Sequence, residues 1–231
     1  MTAQPQKIEK DFRERFWDIS RTESFQREMD RLWSAIRSKL TDQKVKSFLV
    51  CSSSLNEGNT TVASGLAHFV AIHTGMDVLI MDAHCKGASP SDIWENDGLI
   101  PLIEEPQDPY MLTFDEYQTN VPNLRFLTFR NPKEVETTVV NYGEMETFMK
   151  LVTRRYDYIF VDAPPLLDSN VAAFLARHLD KVIFVIAASN RPIPLLRDAL
   201  FRLEDSRDRI LGAVINKREH PIPGYIYRLL R

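Results

Sequence analysis

The chain has 231 residues, 44% of them hydrophobic, and a formal net charge of −3 from 29 basic and 32 acidic residues. That length and apolar content suffice for one domain with a full core, and the near-balanced charge argues against a nucleic-acid partner. Two cysteines, Cys51 and Cys85, cannot build a disulfide framework, and no run resembles a signal peptide or reaches spanning length, so a cytoplasmic protein with reduced thiols is expected.

Residues 1–20 are mostly charged, but Ile8, Phe12, Phe16 and Ile19 recur at helical spacing. They describe an N-terminal arm that is either a short amphipathic helix or a loosely held segment. Phe25, Met29, Leu32, Trp33, Ile36 and Leu40 then mark an amphipathic helix over 23–40, with Thr22 or Ser20 as its cap. Its apolar stripe reads either as core or as a partner-binding face. From residue 45 onward strands and helices alternate. Expected strands are 45–51, 76–82, 124–129, 158–162, 181–187 and 210–216, with helices near 60–73, 143–154, 170–177 and 194–203. Near-continuous apolar strands such as Val-Leu-Ile-Met imply burial on both faces, the mark of a parallel sheet between helices. The expected fold is therefore α/β: a doubly wound, mostly parallel sheet of P-loop type with helices on both faces and a helical arm. The domain itself is expected over 21–220 and a tail over 221–231. The stretch 84–122, rich in Pro, Asp and Glu, is too long for a plain connection and calls for a function or short helices of its own.

The chemistry concentrates where the first strand runs into the first helix after it. Ser52-Ser53-Ser54-Leu55-Asn56-Glu57-Gly58-Asn59-Thr60-Thr61 leads from an apolar strand through small polar residues into a helix. That is the setting of a phosphate-binding loop. Against G-x-x-x-x-G-K-[ST], Gly58 and Thr60 are in place, Ser53 stands at the first Gly, and Asn59 stands at the lysine. Two strands end in carboxylates, Asp82 and Asp162. In an open α/β sheet these lie beside such a loop, where with the Thr60 hydroxyl they form a candidate Mg²⁺ site. His84, beyond a strand end and without a second His or Cys at ligand spacing, reads as a crevice histidine. His68 and His73 do not share a helix face, and Cys51 and Cys85 read as two separate thiols.

At these residues the chain resembles the bacterial tyrosine autokinase (BY-kinase) family of P-loop proteins. That family's loop reads S-S-x-P-G-E-G-K-[ST]-T. Its strand motif D-A-D-x-R-x-P is matched by Asp82-Ala83-His84-Cys85-Lys86-Gly87. Its motif Y-D-x-[IV]-[IV]-[IV]-D-x-P-P is matched by Tyr156-Asp157-Tyr158-Ile159-Phe160-Val161-Asp162-Ala163-Pro164-Pro165. Ile210-Leu211-Gly212-Ala213-Val214-Ile215-Asn216 is similar to an L-G-x-V-x-N strand, whose Asn faces adenine in that family. The resemblance implies ATP or ADP with Mg²⁺ as cofactors. Ser53, Asn56, Glu57, Gly58, Asn59, Thr60, Thr61 and Asn216 would line the nucleotide, and Asp82 and Asp162 would be catalytic. It also implies a membrane polysaccharide co-polymerase (a chain-length regulator) as partner, a peripheral position at the inner membrane through that partner, and homo-oligomer formation.

The departures bear on activity. Asn59 replaces the lysine, Leu55 a Pro, Asn56 a Gly and His84 an Asp. Of the self-association motif E-x-x-R-x-x-R, Glu28 and Arg31 remain, with Ser34 in place of the second Arg. The tail offers only Tyr225 and Tyr227 as phosphorylation targets. A hydrogen bond to a charged group contributes roughly 1.5–3 kcal/mol, so the lost lysine weakens nucleotide binding by roughly 10- to 100-fold. Loss of one preorganised charge-stabilising group costs roughly 10²–10³ in rate. The expected protein is thus a non-catalytic or weakly catalytic relative that regulates exopolysaccharide or capsule polymerisation and export. The alternatives are an active autokinase using Lys86 or a partner's cation, and a positioning ATPase of the division or partition type. The latter carries an early second lysine that Ser52–Ser54 does not supply.

Overall fold

The computed structural model describes residues 5–40, 42, 44–84, 90–94, 100–101, 114–129, 142–188 and 192–218. In chain order the elements are α1 (Pro5–Ser20), α2 (Glu23–Lys39), β1 (Ser47–Ser52), α3 (Asn59–Thr74), β2 (Val78–Asp82), α4 (Pro90–Trp94), β3 (Ile100–Pro101) and β4 (Phe114–Gln118). They continue with β5 (Leu124–Phe129), α5 (Tyr142–Arg155), β6 (Tyr158–Asp162), α6 (Val171–Leu175), β7 (Lys181–Ala187), α7 (Ile193–Phe201), a 3₁₀ turn (Glu204–Arg209) and β8 (Ile210–Asn216).

Among the described residues the strands form one sheet, ordered β3-β4-β5-β2-β6-β1-β7-β8. Pairing is parallel from β5 through β8 and antiparallel at β3–β4 and β4–β5. Because side chains alternate across a strand, β1 sends Phe48 and Val50 to one face and Leu49 and Cys51 to the other. The first face is covered by α1–α4 and the second by α5, α6 and α7. The doubly wound expectation holds.

Stretch 84–122 differs from the expected pattern. It supplies the short α4 and two strands that extend the sheet in antiparallel pairing. β4 escapes a search for alternation because one of its buried residues is a carboxylate. Glu116 is 2% exposed and is held by both guanidinium nitrogens of Arg155, at 2.9 and 3.0 Å, and by the Tyr156 hydroxyl. A buried charge is tolerated only with such partners, and these come from the distant α5 end.

Helix α2 begins at Thr22, whose hydroxyl accepts from the Phe25 amide, the N-cap arrangement that satisfies an orphan donor. Its stripe is core. Met29, Trp33 and Ile36 are buried, and Trp33 meets the rings of Phe48, Tyr158 and Phe160 edge-on at 4.8–6.4 Å. Gly65 of α3 lets α2 approach: a Cβ there would lie 2.6 Å from the Phe25 ring. Glu28 and Arg31 are on the exposed side, ion-paired at 2.8 Å. The arm is helical, and it is anchored by aromatic contacts. Phe16 is buried, and Trp17 meets His68 and Trp94 edge-on at 5.5 and 5.3 Å.

Trp33→Ala empties the volume between α2 and the sheet and is expected to lower stability by about 3–5 kcal/mol in urea unfolding. His68 carries a second prediction. Burial, then the nearby His73, lowers its pKa from 6.5 to about 4. The folded state holds His68 neutral while the unfolded chain protonates it, so its contribution is intact above pH 6.5 and is lost as pH falls towards 4. Unfolding midpoints measured across that window should decline less in His68→Phe than in the wild type.

Candidate functional site

The register of three neighbouring parallel strands assembles the site. Asp162, the last residue of β6, pairs with Val50 of β1 on one side and Asp82 of β2 on the other. The two strand-end carboxylates are therefore side by side at the carboxyl edge, next to the loop that leaves β1. Such an edge is where open α/β sheets place ligands.

The loop is held from two directions. After β6, Pro164 and Pro165 have no amide to donate. The next donors, the Leu166 and Leu167 amides, reach the Ser52 and Ser53 carbonyls at 2.9 and 3.2 Å. From the far side, the Asn216 side chain at the end of β8 donates to the Glu57 carbonyl at 2.9 Å, and the Lys217 amine donates to the Asn56 carbonyl at 2.6 Å. Within the loop the Ser53 hydroxyl donates to the buried Glu57 carboxylate. Asn56 at φ 63° and Gly58 at φ 93° make the turn into α3. The first is a left-handed position that Asn tolerates, so its replacement of Gly is conformationally mild.

Asn59 opens α3 and is 5% exposed. Its amide nitrogen donates to Asp162 Oδ1 and to the Ala163 carbonyl, both at 2.9 Å. Its amide oxygen accepts from the Ser52 hydroxyl at 3.3 Å. Both amide protons and the oxygen are thus engaged with the sheet end. A lysine at this point would carry its charge out over the loop; the shorter amide turns back and ties α3 to β6.

His84 lies inside this cluster, correcting the reading of a crevice histidine. Its side chain is 4% exposed, with Nδ1 3.2 Å from Asp162 Oδ2 and 3.7 Å from Asp82 Oδ1. The contact with Asp162 is a close charge-to-charge approach rather than a well-formed hydrogen bond. Nε2 rests 3.5 Å from the Asn59 amide nitrogen. Burial opposes charge on the ring, but the carboxylates of Asp162, Asp82 and Asp92 outweigh it and push the pKa up to about 9. Asp82 has its own partners: Oδ1 accepts from the His84 amide at 2.8 Å and Oδ2 from the Ser91 hydroxyl at 3.0 Å.

This arrangement does not fit a divalent ion. Thr60 is buried at the loop end, close in sequence to Asn59, while Thr61 is half-buried. The four carboxylate oxygens of Asp82 and Asp162 face the Asn59 amide, the Ser91 hydroxyl, the His84 amide and the His84 ring. Among the described residues no set of three His, Cys, Asp or Glu side chains is disposed to hold a metal. Cys51 is buried beside this edge, its thiol pKa raised by burial and then by Asp162, which makes it unreactive. Cys85, Lys86, Tyr225 and Tyr227 lie outside the described residues. Sequence reasoning missed Lys217, a cation that touches the loop at Asn56; its signal was its place directly after Asn216.

No protein-family model matches the chain. It is 26% identical over 179 residues to CapB of Staphylococcus aureus, covering 76% of this chain and 77% of that one. It is 23% identical over 199 residues to the tyrosine-protein kinase CpsD of Streptococcus agalactiae, covering 85% of each. The fold superposes on the kinase domain of Escherichia coli tyrosine kinase ETK with a TM-score of 0.69 at 17% identity, over 85% of this chain and 77% of that one. It matches the chimerical protein CapA2B2 at 0.68 and 19% identity, over 81% and 82%. A ParA family ATPase from Chlorobium tepidum is more distant, at 0.52 and 18%, over 74% and 73%. With the loop and strand motifs in the same order, the chain is similar in sequence to bacterial tyrosine-protein kinases and in fold to the kinase domains of that kind.

Gly58→Ala tests the loop geometry. A Cβ at φ 93° would stand 2.1 Å from Asn216 Nδ2, so the variant should displace that clamp. The left-handed strain and the lost hydrogen bond together predict about 2–3 kcal/mol of destabilisation in urea unfolding.

Proposed function

We propose that the protein is a non-catalytic or weakly catalytic relative of the tyrosine autokinases. In this reading it regulates exopolysaccharide or capsule polymerisation and export as the cytoplasmic partner of a membrane co-polymerase. The observation that carries the catalytic half is Asn59: the group in the lysine's position donates both its amide protons to Asp162 and Ala163. Phosphoryl transfer depends on positioned charge around the transferring group, and this position supplies none. ATP or ADP at residues 53–61 is the ligand this reading assigns, and conformation rather than chemistry is the output.

The partner half rests on resemblance to the capsule-type kinases and on available surface. No described helix is long and apolar enough to cross a membrane. Helix α7 exposes Ile193 at 70% and Phe201 at 74%, an apolar face suited to a protein contact. Glu28 and Arg31 on α2 offer a second surface, for self-association.

Lys217 favours one other reading, an active autokinase in which that amine, already on the loop at Asn56, supplies the missing charge and Tyr225 or Tyr227 is the acceptor. A positioning ATPase remains the weaker alternative, since the likeness to the ParA family ATPase is lower than that to the kinase domain.

Mg-ATP binding and hydrolysis, measured on the wild type, Asn59→Lys and Asn59→Lys/His84→Asp, test the proposal. The wild type should hydrolyse ATP at least ~10²-fold more slowly than the double variant. Equal rates, or phosphotyrosine on the wild type that disappears with Tyr225→Phe/Tyr227→Phe, would favour the active kinase instead.

A further inference from the structure

The buried imidazole between two carboxylates compensates Asp162 from the place where a bound cation would otherwise stand. His84 sits at the mouth of the carboxyl edge, follows β2 by two residues, and aims Nδ1 at both Asp162 and Asp82. The ring nitrogen has no well-formed hydrogen bond, and neither has the Asp162 Oδ2 it faces. An oxygen pair from two adjacent strand ends, converging on one point, is the donor geometry that a hard divalent ion selects. Here the point of convergence holds the ring nitrogen. The other oxygens cannot take over, because Asp162 Oδ1 accepts from Asn59 and Asp82 Oδ2 accepts from Ser91.

Asn59 and His84 form one unit around Asp162. The amide takes Oδ1, the ring takes Oδ2, and the two side chains approach each other to 3.5 Å. The amide alone would leave half of a fully buried carboxylate uncompensated, and the ring alone would leave the other half. A divalent ion entering this edge must displace the ring into solvent and break its approach to Asp162, without gaining a free carboxylate elsewhere.

We infer that His84 is a resident substitute for the divalent cation at this site, so that the wild-type protein excludes Mg²⁺ from its strand-end carboxylates and any phosphate ligand at the loop is taken metal-free. The inference deepens the reading of a P-loop relative without kinase chemistry, and it names what occupies the cation position.

The test uses Mn²⁺ alone as the probe. Electron paramagnetic resonance titrations of free Mn²⁺ report its affinity for the full-length wild type, His84→Ala and His84→Gln, the last retaining side-chain volume in case the smaller residue fails to fold. His84→Ala removes the group that faces Asp162 Oδ2 and His84→Gln replaces it with a neutral amide, and at least one of them should bind Mn²⁺ at least ~10-fold more tightly than the wild type. On the wild type itself, Mn²⁺ at the same concentrations should leave the His84 ring proton signals sharp. A smaller difference in both variants, or selective broadening of the His84 ring signals, overturns the inference. Neither readout involves turnover, so a wild type that proved active on ATP would sink the proposed function and leave the Mn²⁺ result standing. Tight Mn²⁺ binding by an inactive wild type would do the reverse.

Discussion

Asp162 is a fully buried carboxylate at the end of a central strand of the sheet, and the site is arranged around keeping it tolerable. An isolated charge in that position would cost several kcal/mol. Its two oxygens are therefore met from two elements, Oδ1 by Asn59 at the start of α3 and Oδ2 by the His84 ring after β2. The parallel register of β1, β6 and β2 makes this inevitable, because it brings the ends of all three strands to one edge. The loop between β1 and α3 then has its exit fixed by Asn59 and its flank fixed by the backbone that follows Asp162.

Seen from that carboxylate, the two departures from the autokinase pattern are one change. A lysine at 59 with an acid at 84 would send positive charge outward over the loop and keep negative charge at the strand ends. An amide at 59 with an imidazole at 84 draws the positive charge inward, onto the carboxylates. The loop keeps its backbone shape, with left-handed turns at Asn56 and Gly58 and a clamp from Asn216 and Lys217. What changes is where the charge resides, and phosphoryl transfer is more sensitive to charge placement than to backbone shape.

The outer layers serve the same edge. α2 packs beside α3 where Gly65 admits Phe25 and Met29, and it meets the sheet through Trp33. α1 adds a second lock, with Trp17 edge-on to His68 of α3 and to Trp94 of α4. Helix α3 is buried on nearly all sides, so its first residue, Asn59, has little freedom to reorient. A rigid α3 start suits a scaffold, and it opposes any rearrangement that would lift position 59 towards a ligand.

Much of this was legible without coordinates. Apolar strands ending in aspartate, a small-residue loop with Gly58 and Thr60 at the right spacing, and the run from Tyr156 to Pro165 carried the α/β class and the location of the site, because strand burial and loop chemistry are local properties of residue type. The missing lysine was legible in the same way. Three features were not. β4 hid its burial behind Glu116, whose partners Arg155 and Tyr156 lie some 40 residues further along the chain. Lys217 reaches the loop only because β8 ends beside it. The role of His84 depended on strand register: its sequence neighbourhood offered a lone histidine after a strand, and only the pairing of β2 with β6 brings Asp162 within 3.2 Å of its ring. The sequence by itself determined which groups were present and that the lysine's charge was absent. The tertiary structure decided which groups meet, because electrostatic compensation of a buried carboxylate acts over a few ångströms between strands that are far apart in the chain.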